Sequence, residues 1–400
     1  MSADKPLPAH KGQSGESVRQ HNLSTVLRLV HLQGTILRSK ITATTGLNRS
    51  TVSDLVAELS ELGILVEKET AAPTGVGRPS LAVSAADNIV AFSVNPEIDA
   101  TTVAAVALSG RVVSKERRLM RSHPTAQDSI AVSAEMIDSM RKQLEPGTRI
   151  VGVGVSVPGQ VRSSDGVIRF APQLGWVEQA FAASLSQSTG LPVYLANDAS
   201  LGCVAESRFG AAKDINDAVF LFAGSGGIGG GVISNGRNIT GAAGYAGELG
   251  HIRISSSKQL DYSGFSGTLE ALVRRNDLLD IFRLYVATDE ELDAEIRSTE
   301  STKARKLLEQ QVSSLADGIS TLVNIFNPEV VVLGGFLTSL FDFAPDQLIA
   351  EMKQGALAAA SERVVIRKGA LGSNLLVLGA AELPFEALLE APSSFRLTDA

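Results

Sequence analysis

A single cysteine, Cys203, in 400 residues rules out an intramolecular disulfide and any metal site built from several thiolates, and it suits a reducing compartment. Apolar length is missing too. The first fifteen residues are polar, with Pro6, Pro8, Gly12 and Gly15, and hold no segment that could serve as the core of a secretory leader; no membrane-spanning run is visible either. These absences predict a cytoplasmic protein with no membrane partner. Positive charge is scarce: 36 Lys and Arg against 43 Asp and Glu leave a formal net charge of −7, and such a surface repels nucleic acid.

The charge is unevenly spread, however. Residues 1–84 carry nine basic and seven acidic residues, whereas the remainder carries 27 and 36, so any contact with DNA must come from the N-terminal segment. Within it, residues 1–17 predict a disordered tail, because Pro, Gly, Ser and charged residues bury too little apolar surface to offset the entropy of ordering. Val18, Leu23, Val26, Leu27, Val30 and Leu32 follow helical spacing and Gly34 ends the run. A short helix over Ser39–Thr44, a turn at Gly46, and a third helix opened by Asn48 or Arg49 follow, with Val52, Leu55, Val56, Leu59 and Leu62 on one face and Gly63 as its stop. Strand-like stretches at Ile64–Glu69 and Leu81–Val83 flank a turn from Pro73 to Pro79. This order predicts a winged helix-turn-helix over 18–84. The first turn of the third helix would present Asn48, Arg49, Ser50, Thr51 and Ser53 to bases and phosphates, and Arg78 would stand at a slim wing tip suited to a minor groove. A helical module that binds protein would show the same periodicity.

Beyond Asp87 the chain alternates strands, glycine turns and helices. Ile89–Val94, Val103–Leu108 and Val112–Leu119 predict a meander. Ile150–Val157 predicts a buried strand ending in Pro158-Gly159, and Val193–Ala196 one ending in Asn197-Asp198, before a helix over Ala199–Phe209. A second half repeats the theme: strand Ala218–Ala223, a glycine loop from Gly224 to Gly231, helices through Phe282 and over Thr302–Phe326, and strand Val330–Leu333 ending in Gly334-Gly335. Two α/β halves with ligand-presenting strand ends predict two lobes and a cleft. The tail after Pro392 reads as mobile.

The candidate ligand-holding stretch is Gly244 to Glu270. It sets two carboxylates, Glu248 and Glu270, and His251 among small residues that allow close approach to the backbone. Neutral polyols suit such a lining, since each carboxylate accepts from two hydroxyls and an imidazole donates or accepts. A solvated acidic loop with a packed histidine has the same composition, and Asn-Asp at a strand end is also a good helix N-cap.

Taken together, the helix-turn-helix with its Gly-Arg-Pro wing, Gly-Val-Gly-Val-Ser-Val-Pro-Gly at 152–159, Ala-Asn-Asp-Ala at 196–199, the glycine run at 224–231 and Gly-Glu-Leu-Gly-His at 247–251 resemble the ROK family over residues 18 to 385. That family groups sugar-responsive repressors, uncharacterised reading frames and sugar kinases on an actin-like, ribonuclease H-like two-lobed fold. The resemblance implies a first α/β lobe over 85–198, completed by a helix near 380–391, and a second over 199–379. It implies Asn197, Asp198, Glu248, His251 and Glu270 as sugar ligands beside Gly159, with Asp198 at the position of the kinases' general base.

Two departures weigh on activity. The kinases' Asp-x-Gly-x-Thr-like phosphate loop is matched by Asn95-Pro96-Glu97-Ile98-Asp99, which lacks the metal-holding aspartate and the glycines and adds negative charge. The family's Cys-x-Cys-Gly-x-x-Gly-Cys zinc run is matched by Asp261 and Ser263-Gly264-Phe265-Ser266-Gly267-Thr268, without thiolates. No zinc, no other cofactor and no catalysis are expected, and loop packing must place His251 and Glu270. The expectation is a DNA-binding regulator, a repressor, acting as a homodimer or homotetramer on operator DNA and released by a sugar or sugar-derivative effector. The alternative is an ATP-dependent sugar kinase with a DNA-binding appendage.

Overall fold

The computed structural model describes residues 15–68, 81–120, 123–224, 227–242, 244–284 and 287–400. Arg78, the turn from Pro73 to Pro79, and Ser225-Gly226 of the glycine run lie outside the described residues.

The N-terminal unit comprises α1 (Gly15–Gln33), β1 (Ile36–Leu37), α2 (Arg38–Thr45), α3 (Arg49–Glu61), β2 (Leu65–Lys68) and β3 (Ala82–Ala85). Helix α1 begins at Gly15, three residues before the expected start. Leu23, Val26, Leu27 and Val30 of α1 and Val52, Leu55, Val56 and Leu59 of α3 form one buried cluster with Ile41 of α2, so three apolar stripes account for the packing. Gly46 closes α2 in the left-handed conformation at φ 70°. The strands form an antiparallel sheet in the order β1-β3-β2.

The first lobe holds β4 (Ile89–Pro96), β5 (Ala100–Ala107), β6 (Val112–Leu119), α4 (Ala126–Arg141), β7 (Arg149–Val157), β8 (Gln160–Arg162), β9 (Val167–Ala171), β10 (Trp176–Gln179), α5 (Phe181–Thr189) and β11 (Val193–Asn197). Its main sheet runs β11-β7-β4-β5-β6, and β8 to β10 form a separate antiparallel sheet. Strands β4, β5 and β7 are buried along nearly their whole length, as strands covered on both faces are.

The second lobe contains α6 (Asp198–Phe209), β12 (Ala218–Gly224), β13 (Gly227–Ser234), β14 (Arg237–Asn238), α7 (Leu269–Leu272), α8 (Arg275–Phe282), α9 (Asp289–Ser298), α10 (Thr302–Phe326), β15 (Val330–Gly335), α11 (Leu337–Phe343), α12 (Pro345–Gly355), α13 (Ala358–Ser361) and β16 (Val365–Lys368), in a sheet ordered β14-β13-β12-β15-β16. Helix α14 (Leu375–Glu390) then returns to the first lobe. A Cβ on Gly154 of β7 would lie 1.7 Å from the Ala380 carbonyl oxygen of α14, and one on Gly379 2.4 Å from the Leu201 carbonyl oxygen of α6. These glycines bring α14 into backbone contact with the first sheet on one side and with α6 on the other. The α6–α14 pair is thus the seam between the lobes.

Two expectations are corrected. The tail after Pro392 is held: β17 (Thr398–Asp399) pairs antiparallel with β7, and the Ala400 amide donates to the Thr148 carbonyl at 3.0 Å. Residues 227–231 are not a loop but the first five residues of β13, hairpinned to β12. A Cβ on Gly229 would fall 2.5 Å from that of Ala199, one on Gly231 2.5 Å from that of Cys203, and one on Gly230 2.6 Å from Leu249 Cδ1. The glycines here let α6 and the following loop lie close on the strand.

Candidate functional site

The C-terminal ends of β7, β11 and β12 converge on a cleft of about 380 Å³, within the range of small-ligand pockets. Gly159, Asn197, Asp198, Glu248, His251 and Glu270 all line it, so the structure brings together the six positions singled out in the sequence. Their environments differ.

Asn197 caps α6: its Oδ1 accepts from the Ser200 amide at 3.0 Å, and its Nδ2 donates to the Gly159 carbonyl at 3.2 Å and to Asp198 Oδ1 at 3.1 Å. Its polar atoms are therefore engaged in placing Asp198 and the β7–β8 turn. Gly159 is glycine for packing, since a Cβ would lie 2.4 Å from the Phe170 carbonyl oxygen. Asp198 opens α6, with Oδ1 accepting from the Ala199 amide at 2.8 Å. A helix N-terminus favours a carboxylate, yet the cleft walls remove water from Asp198, and that desolvation, with Glu248 nearby, pushes its pKa up to about 6. Glu248 is exposed to the cleft and accepts no hydrogen bond from any described side chain.

His251 and Glu270 are held by a hub that the sequence indicated only by position. Asp261 Oδ1 accepts from the amides of Ser263 at 2.9 Å and Phe265 at 2.8 Å, while Oδ2 contacts His251 Nδ1 at 2.9 Å and accepts from Thr268 Oγ1 at 2.8 Å. Burial would raise the Asp261 carboxyl, but the hydrogen bonds from Phe265, His251 and Thr268 outweigh it and hold the pKa below the usual range. An ionised Asp261 fixes the tautomer with hydrogen on Nδ1, so His251 Nε2 is the ring atom left for a ligand. Glu270, 5% exposed, accepts from the Ile228 amide at 2.8 Å through Oε2 and from the Tyr262 amide at 3.2 Å through Oε1; burial raises its pKa. It ties the start of β13 to the loop carrying Tyr262 and still borders the cleft.

His251, Asp261 and Glu270 each place one potential ligand atom within 4.8 Å of the others. The donor set fits zinc poorly: two carboxylates and one imidazole replace the four N/S ligands of a structural site, and the oxygens already accept hydrogen bonds from backbone and side chain. Four hydrogen bonds to the Asp261 carboxylate organise this loop.

Opposite these groups, the turn between β4 and β5 is closed upon itself. Arg117 Nε donates to Glu97 Oε2 at 2.9 Å and its Nη2 to Asp99 Oδ1 at 3.0 Å, while Thr102 Oγ1 donates to Glu97 Oε1 at 2.7 Å and Ser156 Oγ to Asn95 Oδ1 at 2.9 Å. Glu97 and Asp99 thus place two Arg117-paired carboxylates on this turn. With Asp198, Glu248 and Glu270 they put five carboxylates, and no Lys or Arg, among the described residues lining the cleft. Sequence reading missed Phe170, Pro172, Gln173 and Leu174, on and after β9, and Tyr262, whose hydroxyl accepts from Asn276 Nδ2 at 3.0 Å; no motif marks them.

On the N-terminal unit, Asn48 caps α3, its Oδ1 accepting from the Thr51 amide at 2.8 Å and Ser50 Oγ at 2.7 Å. That oxygen is spent on the helix, leaving the Asn48 amide nitrogen outward. Asn48, Arg49 and Ser50 are exposed and Thr51 and Ser53 partly so; Arg38 donates to Ser53 Oγ at 3.4 Å and pairs with Glu67 of β2.

The described residues include no helix long and apolar enough to cross a membrane. Comparison with known proteins finds similarity over most of the chain. The chain is 27% identical over 391 residues to the xylose repressor of Caldicellulosiruptor bescii, covering 94% of this chain and 98% of that protein. The crystal structure of a ROK family transcriptional regulator, a homologue of the Escherichia coli MLC protein, superposes with a TM-score of 0.76 at 22% identity over 94% of this chain and 97% of the other. The ROK hexokinase of Thermus thermophilus superposes with a TM-score of 0.64 at 26% identity, over 75% of this chain and 99% of the hexokinase, consistent with an actin-like two-lobed domain. Residues 97–386, well over half of the sequence, match the profile of the ROK family, and the chain belongs to that family.

Proposed function

We propose that this protein is a sugar-responsive transcriptional repressor: residues 18–84 form a winged helix-turn-helix that reads operator DNA, the cleft binds a neutral, unphosphorylated sugar, and no phosphoryl transfer takes place. The observation that carries this reading is the cleft wall. Asp198, Glu248 and Glu270 line the cleft with no Lys or Arg beside them and repel anionic ligands, and Glu97 and Asp99, two carboxylates sharing the single cation Arg117, occupy the turn where a nucleotide phosphate would have to sit. Hydroxyl donors remain complementary to the same wall, through Asp198, Glu248 and Nε2 of His251.

The outward first turn of α3, with Arg49, Ser50 and Thr51 before an amphipathic helix, supports the DNA-reading half. The similarity to a repressor named for xylose runs through this N-terminal unit as well as the lobes, whereas the match to the hexokinase covers three quarters of the chain. A single unit with few net positive charges has limited affinity, so a homodimer or homotetramer reading paired half-sites in the cytoplasm completes the reading.

Gel-shift titration tests it. DNA selected by the protein from a random duplex pool is titrated with neutral aldoses, D-xylose and D-glucose among them, and with their phosphate esters. Release by a neutral sugar and not by a phosphate is expected. Release by phosphate esters alone would overturn the ligand assignment, and ADP formation from ATP and a neutral sugar, abolished by Asp198→Ala, would establish the kinase reading instead.

A further inference from the structure

Helix α6 starts at Asp198 in the cleft and ends near Arg208, about 15 Å away along its axis. At that far end a partly buried charged cluster joins three parts of the molecule. Arg208 pairs with Glu382 and donates through Nη2 to Glu386 Oε2 at 3.0 Å, both on α14. The same two carboxylates hold the N-terminal unit: Arg28 Nη2 of α1 donates to Glu386 Oε1 at 2.6 Å, and His31 Nε2 lies 3.1 Å from both oxygens of Glu382. His31 Nδ1 must donate to the Leu108 carbonyl, 2.6 Å away, so the contact with Glu382 holds only with a proton between Nε2 and the carboxyl. Glu382 and His31 are 3% and 2% exposed, and the His31 ring meets Phe209 and Phe385 edge-on.

The partners belong to different bodies. Helix α6 rides on β13 of the second lobe through Ala199 and Cys203, whereas α14 rides on β7 of the first lobe at Gly154. Closing a cleft between two lobes moves these helices against each other, and Arg208 is the residue of α6 that reaches across the seam to the carboxylates that seat α1. Beside the cluster lies a second cavity, of about 410 Å³, bordered by Arg28, His31, Arg208 and Lys213, so side chains here have room to change partners, which a close-packed seam would deny.

We propose that Arg208 couples the cleft to the N-terminal unit: when sugar draws α6 along α14, Arg208 alters its hold on Glu382 and Glu386, and the seating of α1 through Arg28 and His31 changes with it. This rests on the repressor reading above. Coupling is a property distinct from either binding event, because it is the ratio of DNA affinities without and with sugar.

The test compares Arg208→Gln and Arg28→Gln with the unaltered protein, using DNA selected by the unaltered protein and D-xylose or D-glucose, whichever releases it. In the unaltered protein the ratio of DNA Kd values with and without saturating sugar is expected to lie at about 5–150. In each variant it should fall to within about twofold of one, while sugar Kd, measured by calorimetry, stays within about threefold. An unchanged ratio in both variants overturns the inference and leaves the repressor reading intact. A ratio of one in the unaltered protein with every neutral sugar overturns the repressor reading, and this inference with it. Should Arg208→Gln fail to fold by circular dichroism, Arg28→Gln decides alone, because its side chain is a third exposed.

Discussion

His251 and Asp261 meet at 2.9 Å, Nδ1 to Oδ2, in a loop that carries no thiolate. The carboxylate accepts four hydrogen bonds and in doing so sets which imidazole nitrogen faces the cleft. Asp261→Asn preserves volume but presents an NH2 toward His251 or Thr268, favouring the other tautomer. Sugar affinity is expected to fall by about 10–100-fold, as for groups that orient a ligand-bearing histidine, with little loss of stability. Asp261→Ala should cost about 2–4 kcal/mol as well, because buried amides lose their acceptor. Calorimetry and thermal unfolding separate the two effects, and the same measurements after EDTA treatment are expected to be unchanged.

Asp198 carries a testable conflict between stability and binding. Its pKa in the fold, about 6, lies above the ordinary 3.8, so folding favours the protonated form. The stabilising contribution is complete below pH 3.8 and is lost as pH rises through 6; above that the fold bears the cost of a desolvated charge, on the order of 1–3 kcal/mol. Asp198→Asn removes that charge and keeps the acceptor for Ala199. It should raise Tm by about 1–4 °C at pH 7.5, show little difference from the unaltered protein near pH 3.8, and weaken sugar binding at least ~10-fold. A lowered Tm at pH 7.5 would contradict the assignment of desolvation as the dominant cause.

The turn at Glu97 and Asp99 leads to an expected absence of effect. Magnesium AMP-PNP at millimolar concentration should leave Tm unchanged, because a ligand that does not bind the native state cannot stabilise it. A rise of several degrees would place nucleotide in the cleft and contradict the electrostatic argument.

Gly227 sits at φ 119°, and a Cβ there would lie 2.0 Å from Glu270 Oε2. Gly227→Ala is expected to displace Glu270, lower stability by about 2–4 kcal/mol and weaken sugar binding together. Gly264, at φ 84° with no atom within 4 Å of its would-be Cβ, provides the contrast: Gly264→Ala should cost only the backbone strain, about 1 kcal/mol. Urea unfolding of the two variants checks the ranking.

Periodicity revealed the helices of the N-terminal unit and the long buried strands because local burial patterns govern them: Val52, Leu55, Val56 and Leu59 repeat at helical spacing, and β4, β5 and β7 are mostly apolar. Gly159, Asn197 and Asp198 converged on the cleft because they lie at strand ends, where an α/β sheet gathers them, whereas Glu248, His251 and Glu270 come from a short helical turn and α7. What escaped was set at long range. Nothing near Arg208 announces Glu382, 174 residues away. The glycines of β13 read as a loop, whereas close packing against α6 and Leu249 is what they serve. Arg117 gives no local sign that it closes the turn at Glu97, since the pairing exists only once β5 and β6 are joined.

The contact of α14 with β7 also has a temporal side. Translation delivers β4 to β11 first and must then produce the whole second lobe before α14 emerges. At ordinary elongation rates the unfinished first sheet waits on the order of 10–40 s with the backbone groove at Gly154 uncovered. The nascent chain therefore offers ribosome-associated chaperones a long window in which to shield that strand, and slowing synthesis between residues 198 and 374 would lengthen its exposure to aggregation.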